Sequence, residues 1–253
     1  MRIVAVSGGE IGRPKKEGGH YPIETLPIDK EIVRLTGKKN PKLLFIPTAS
    51  GDSRSYYAVI QNYFGKRLGC NTEALYLFKD RPTRKEVEAR ISGADIIYVG
   101  GGNTLRMLKL WRKLGIDKLL EKAGKQGKVL SGISAGAICW FKYGNSDSLK
   151  FSDGRNPLIK VWGLDFVPLM ICPHYDVEAD RKPSLRRMIK GQGGIAIALD
   201  NCTAIQVQDG QYRILTSSRN AHAYKVYRKD GKVIQEQIPV SKDFKSLDEL
   251  ILK

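Results

Sequence analysis

The chain has 253 residues, 42% hydrophobic and 27% charged, enough apolar material at this length to bury a substantial core, which argues against disorder. No apolar run approaches the ~18 residues needed to span a bilayer, and residues 1–8 break into glycine too soon for a signal-peptide core, so a soluble cytoplasmic protein without a membrane partner is expected. The net charge of +17 attracts phosphate in general, yet among the basic residues of 106–128, Arg106, Lys109 and Lys113 recur at helical spacing opposite Leu105, Leu108 and Leu114, the pattern of a solvated helix face. No RNA-recognition, zinc-finger or arginine-rich signature accompanies them, so nucleic acid is not the expected partner.

Short apolar runs at 3–6, 42–46, 73–77, 95–99 and 128–133 read as strands, each closed by Gly, Pro, Ser or Thr. Helical patterns lie between them at 29–35, 55–68, 83–91, 103–114 and 117–125. Strand-helix alternation predicts parallel pairing, because a parallel connection must cross the sheet. The expected fold class is therefore α/β, a doubly wound, mostly parallel sheet. After Tyr143 the texture changes: 145–157 is polar and reads as a surface loop, 161–172 is apolar, and 181–190 is a basic helix. Strands at 195–199, 204–207, 212–215, 221–227 and 232–238, joined by Asp-Gly turns, predict an antiparallel C-terminal part, and a helix at 244–252 closes the chain. Without a linker or internal repeat, one domain over 1–253 is expected.

Cys70, Cys139, Cys172 and Cys202 have neither disulfide-framework nor zinc-ligand spacing and read as buried small apolar residues; no metal or other cofactor is expected. The strongest chemical signal is Gly132-Ile-Ser-Ala-Gly136, between a strand and the helix-favouring stretch 135–141. A serine there sits on a tight turn that lifts its hydroxyl above the sheet edge, a nucleophile elbow. Such a serine needs a base. Of the three histidines, His20 lies in a glycine-rich loop and His222 in a strand pattern, whereas His174 follows the apolar run 169–173, at a strand end where open α/β sheets place ligands. The glycines of Gly100-Gly-Gly-Asn-Thr104 end a strand before a helix, so one of their N–H groups, with that of Ala135, could hold an oxyanion. Phosphate-loop spacings are missing there, which ranks a nucleotide cradle lower.

Together, Val99-Gly-Gly-Gly-Asn-Thr104, Gly132-Ile-Ser-Ala-Gly-Ala137, Cys172-Pro-His-Tyr-Asp176 and Ala198-Leu-Asp-Asn201 resemble the dipeptidase E and cyanophycinase family of serine peptidases, in order from the first strand to about Leu215. The resemblance implies a fold like class I glutamine amidotransferases with serine replacing their cysteine, Ser134 as nucleophile, His174 as base, Gly102 and Ala135 as oxyanion donors, and a short peptide as substrate. Such relatives prefer aspartyl peptides or an Asp/Arg polymer, and the basic charge suits an acidic substrate. In one place the sequence departs from the family: the slot that typically holds the triad glutamate is Asn201, with Asp200 before it. Two neighbours at a strand end face different sides. Asp200 is expected to face His174, since an imidazolium without a countercharge is costly, while the alignment favours the Asn201 slot; Asp147 is a third candidate. The expected function is a serine hydrolase of short peptides, the alternative a catalytically silent binder on the same scaffold. Cys139 as nucleophile fails on placement, beyond the elbow.

Overall fold

The structure, a computed structural model, describes residues 1–251 apart from the Gln192 side chain. The first half alternates strand and helix: β1 (Arg2–Val6), α1 (Leu26–Arg34), β2 (Lys42–Ile46), α2 (Arg54–Ile60, prolonged by a π-helical turn over Gln61–Arg67), β3 (Asn71–Ala74), α3 (Arg84–Gly93), β4 (Ile96–Val99), α4 (Thr104–Leu114), α5 (Ile116–Lys125) and β5 (Val129–Ile133). The second half runs α6 (Ala135–Ile138), β6 (Phe141–Ser146), β7 (Ile159–Trp162), β8 (Val167–Cys172), α7 (Arg181–Gln192), β9 (Ile195–Leu199), β10 (Thr203–Gln208), β11 (Gln211–Thr216), β12 (Ala223–Lys229), β13 (Lys232–Ile238), β14 (Lys245–Ser246) and α8 (Asp248–Ile251).

The strands form two sheets. One has the order β14-β11-β10-β1-β5-β4-β2-β3, the other β13-β12-β9-β8-β6-β7. In the first, β1, β5, β4, β2 and β3 are parallel, as the strand-helix alternation requires, and β10 returns antiparallel to β1. Side chains alternate across it: Ile3, Ala5, Leu44, Ile97 and Leu130 pack toward Val87, Trp111 and Leu120 of α3, α4 and α5, whereas Val4, Val6, Phe45 and Tyr98 pack toward Ile28, Ile32 and Tyr63. Burial on both faces explains why β2 and β4 are continuously apolar runs. In the second sheet β8 lies parallel to β6 and β9, and its Ile171, with Ile197 and Leu199, joins the same core as α3 to α5.

Helix ends follow local chemistry. The Thr83 hydroxyl accepts from the Glu86 N–H while the Glu86 carboxylate accepts from the Thr83 N–H, a capping box that starts α3. Asn103 caps α4 by accepting from the Arg106 N–H at 3.0 Å, and left-handed Gly115 ends it.

Several expectations are corrected. The expected antiparallel C-terminal strands are shared between the sheets, β10 and β11 joining β1 while β9, β12 and β13 belong to the second sheet. The strand expected at 73–77 is Asn71–Ala74, and Leu75 and Leu77 are buried beyond its end, so apolarity there reports burial rather than pairing. The helix expected over 135–141 is one turn, after which Phe141–Ser146 pairs with β7 and β8. The surface loop expected from 145 therefore starts later, and Asn145 and Ser146 are buried. At the C-terminus Lys245 and Ser246 pair with β11, and the helix is Asp248–Ile251; position 252 lies outside the described residues.

Candidate active site

β5 ends at Ile133, and the chain turns at Ser134 with φ 57° and ψ −111°, a conformation that non-glycine residues rarely hold. The turn is forced by close approach of β4. A Cβ on Gly132 would lie 2.6 Å from the Val99 carbonyl oxygen, and one on Gly136 would lie 2.0 Å from the same atom. Both glycines of the pentapeptide thus let two backbones touch, and the Ser134 N–H is held by the Val6 carbonyl at 3.1 Å.

His174 enters from the other sheet, two residues after β8, and also has positive φ, 56°. Its backbone N–H donates to the Ser7 hydroxyl at 2.8 Å, and that hydroxyl donates to the Leu199 carbonyl at 2.8 Å. The ring lies between two side chains, with Nε2 at 2.9 Å from the Ser134 Oγ and Nδ1 at 2.8 Å from the Asn201 Oδ1. An amide oxygen only accepts, so Nδ1 carries the proton and Nε2 is left as acceptor for the serine hydroxyl. Asn201 is itself anchored by its N–H donating to the Asp176 carboxylate at 2.8 Å. A Cβ on Gly8 would fall 2.2 Å from the Asn201 Oδ1 and 2.6 Å from the imidazole, so this position needs glycine for space. Burial depresses the His174 pKa below 6.5; the Asn201 hydrogen bond opposes this, and the nearby Arg181 guanidinium adds to it.

A profile of peptidase family S51 matches residues 18–215. The chain belongs to peptidase family S51. It is a serine-type peptidase, 36% identical over 242 residues to the uncharacterized peptidase YgaJ of Bacillus subtilis (strain 168), with 94% of this chain and 97% of that one covered. A Drosophila melanogaster protein described as a "probable alpha-aspartyl dipeptidase" is 29% identical over 199 residues, covering 75% of this chain and 77% of its own. The fold is shared with a crystal structure of a peptidase from an acI-B1 Actinobacterium, at TM-score 0.70 and 18% identity, covering 97% of this chain and 96% of that one.

In this S51 peptidase the third partner of the serine-histidine pair is not the one favoured from sequence. Asp200 is buried on the opposite side of the turn, where its Oδ2 accepts from the His222 N–H at 3.0 Å while Asn201 faces the imidazole. Burial raises the Asp200 pKa. Asp147 pairs with Arg181 at 3.9 Å and acts on His174 only through its charge, which raises the imidazole pKa, while the Nδ1 partner is Asn201. His20 forms a bridge with Pro14 in an exposed hairpin, and the His222 Nδ1 meets the Gln237 amide at 3.1 Å, so neither touches Ser134. Cys139 is fully buried, its thiol against the Gly136 carbonyl and its pKa well raised by burial.

Around the serine, Ala135 is the first residue of α6, so its N–H has no intrahelical acceptor. Gly102 has φ 134° and packs against the Ala49 carbonyl, while the preceding Gly101 abuts Ser134 itself, a Cβ there lying 3.4 Å from the serine Cβ. Sequence reasoning missed Gly8 and Ser7. The run Ser7-Gly8-Gly9 directly after the first strand was the available signal, since glycine at a strand's carboxyl end marks close approach. No helix among the described residues is long and apolar enough to cross a membrane.

Proposed function

We propose that this peptidase cleaves short peptides through an acyl-enzyme on Ser134. The observation that carries the reading is the continuous hydrogen-bond chain from the Ser134 Oγ through His174 to the Asn201 Oδ1. In this reading the serine oxygen attacks the peptide carbonyl as its proton moves to Nε2; the imidazolium then returns that proton to the leaving amine, and water resolves the ester by the same route. The N–H groups of Ala135 and Gly102 hold the oxyanion, that of Gly101 being engaged by the Tyr56 hydroxyl. Asn201 orients the ring and fixes its tautomer but supplies no countercharge, which makes acylation slower than with a carboxylate.

A fluorophosphonate probe read by intact mass tests this. One adduct in the native protein and none in Ser134→Ala is the expected result; labelling that persists in the variant would show that another serine reacts. The second reading, a silent binder, is favoured by one feature, the amide at Asn201, and predicts no adduct at all. Acidic peptides, the class suggested by the net charge of +17 and by the description of the Drosophila relative, have long-range attraction in their favour. What sits beside the cleaved bond depends on the walls next to Ser134.

A further inference from the structure

A cavity of about 530 Å³ lies between the loop that follows β1, the start of α2, and the ends of β4 and β5, with Ile133, the residue before Ser134, in its wall. Two of its walls stand one residue from the site, Ile133 before Ser134 and Gly9 after the Gly8 packed beside His174 and Asn201, and a third is tied to it, the Tyr56 hydroxyl accepting from the N–H of Gly101, the glycine against Ser134, at 3.4 Å. Its lining is mostly apolar and aromatic, from Ile11, Val59, Tyr98, Ile133 and Tyr56, with the Ser53 and Ser55 hydroxyls as neutral polar groups. Among the described residues lining the cavity the one cation is Arg13, and it is already engaged: its guanidinium pairs with Glu10 at 2.7 Å and lies over the Tyr21 ring at 4.5 Å, at the exposed rim. A carboxylate entering here would lose its water, meet no free positive charge, and approach Glu10.

Resting on the Ser134 reading, we propose that this cavity is the specificity pocket of the peptidase and that it takes an uncharged aromatic or branched aliphatic side chain next to the cleaved bond, not an acidic one. Burying a side chain of phenylalanine size against such walls favours it over a small or charged one by at least tenfold. The Tyr56 hydroxyl ties the pocket to Gly101, so a side chain packed on the Tyr56 ring sits against the turn that faces the reacting carbonyl. Tyr56 and Val59 are thus specificity-determining residues.

Binding to Ser134→Ala, which keeps substrates intact, tests the pocket separately from the chemistry. By isothermal titration, Phe-Ala or Ala-Phe should bind at least tenfold more tightly than both Asp-Ala and Ala-Asp, and adding Val59→Asp should remove that advantage. Equal or tighter binding of the aspartyl peptides, or a phenylalanine preference that survives Val59→Asp, overturns the assignment. So does undetectable binding of both phenylalanine peptides. Hydrolysis by the native protein is measured in parallel: binding with the expected preference but without cleavage or fluorophosphonate labelling overturns the Ser134 reading and leaves the pocket standing.

Discussion

At the scale of single residues, the proposed acylation turns on the amide of Asn201, which meets the imidazole where a carboxylate would supply a countercharge. Because the Asn201 Oδ1 is already 2.8 Å from Nδ1, Asn201→Asp places a charge there without lengthening the side chain. Acylation should rise at least tenfold, since the developing imidazolium gains a counterion. The same change moves the acid limb of the pH profile. In the native protein burial lowers the His174 pKa, so the base stays neutral, and kcat/KM holds, to a pH below ~6.5; in Asn201→Asp the midpoint moves upward. A stopped-flow labelling series from pH 4 to 8 checks both, and a limb that stays in place would remove the imidazole from the reaction. Asp200→Asn, by contrast, should leave acylation within about twofold, because that carboxylate serves the His222 N–H. The sequence offered Asp200, Asn201 and Asp147, favoured Asp200, and correctly required the two neighbours to face opposite sides. It favoured the wrong neighbour, because either side chain can accept the Nδ1–H hydrogen bond and the decision lies in how the turn after β9 is rotated.

Among the elements, the strand-turn-helix at β5 and α6 is the part most plainly written in the sequence, since both glycines answer to one carbonyl. Gly136→Ala pushes a methyl group into the Val99 backbone, where neither partner can rotate away. The expected loss is about 3 kcal/mol or more, seen as a lower urea midpoint with unchanged slope; an unshifted midpoint would contradict the close approach. The β6 strand was illegible for the opposite reason. Its polar residues look like a loop, yet the Asn145 carbonyl accepts from the Arg181 guanidinium at 2.5 Å, and the Ser146 and Ser148 hydroxyls bond each other at 2.7 Å, so buried polarity is satisfied by groups distant or irregular in sequence. Pairing partners, as at 73–77, are likewise a long-range property that local apolarity does not carry.

At the scale of the whole molecule, pH acts through buried groups far from the serine. Asp29 of α1 is fully buried, accepts from the Thr25 hydroxyl at 2.6 Å and from the Tyr63 hydroxyl at 2.9 Å, and is pushed up to about 7 by desolvation. A carboxyl raised in the folded state disfavours folding as pH climbs from its unfolded value near 4 towards 7, with the full penalty present above that. Asp29→Asn should therefore stabilise the protein at pH 8 by roughly 2–4 kcal/mol relative to its effect at pH 4, a difference that melting curves at the two pH values would reveal. His174 works in the other direction: with a lowered folded pKa, it withdraws stability as pH falls through ~6.5 towards that value.

Ser134 hangs from β5 in the eight-stranded sheet and His174 from β8 in the six-stranded one, while Asn201 lies on the link that carries the chain from β9 in the second sheet to β10 in the first. The proton route therefore exists only where the two sheets meet in register, and it works as a vernier on their docking. A slip of 1 Å leaves every strand paired and every helix capped, so circular dichroism would hardly notice, yet it stretches a 2.9 Å hydrogen bond beyond use. In rising urea the fluorophosphonate labelling rate should collapse at a lower concentration than the far-ultraviolet signal. Coincident curves would mean that the seam yields only when the sheets themselves do.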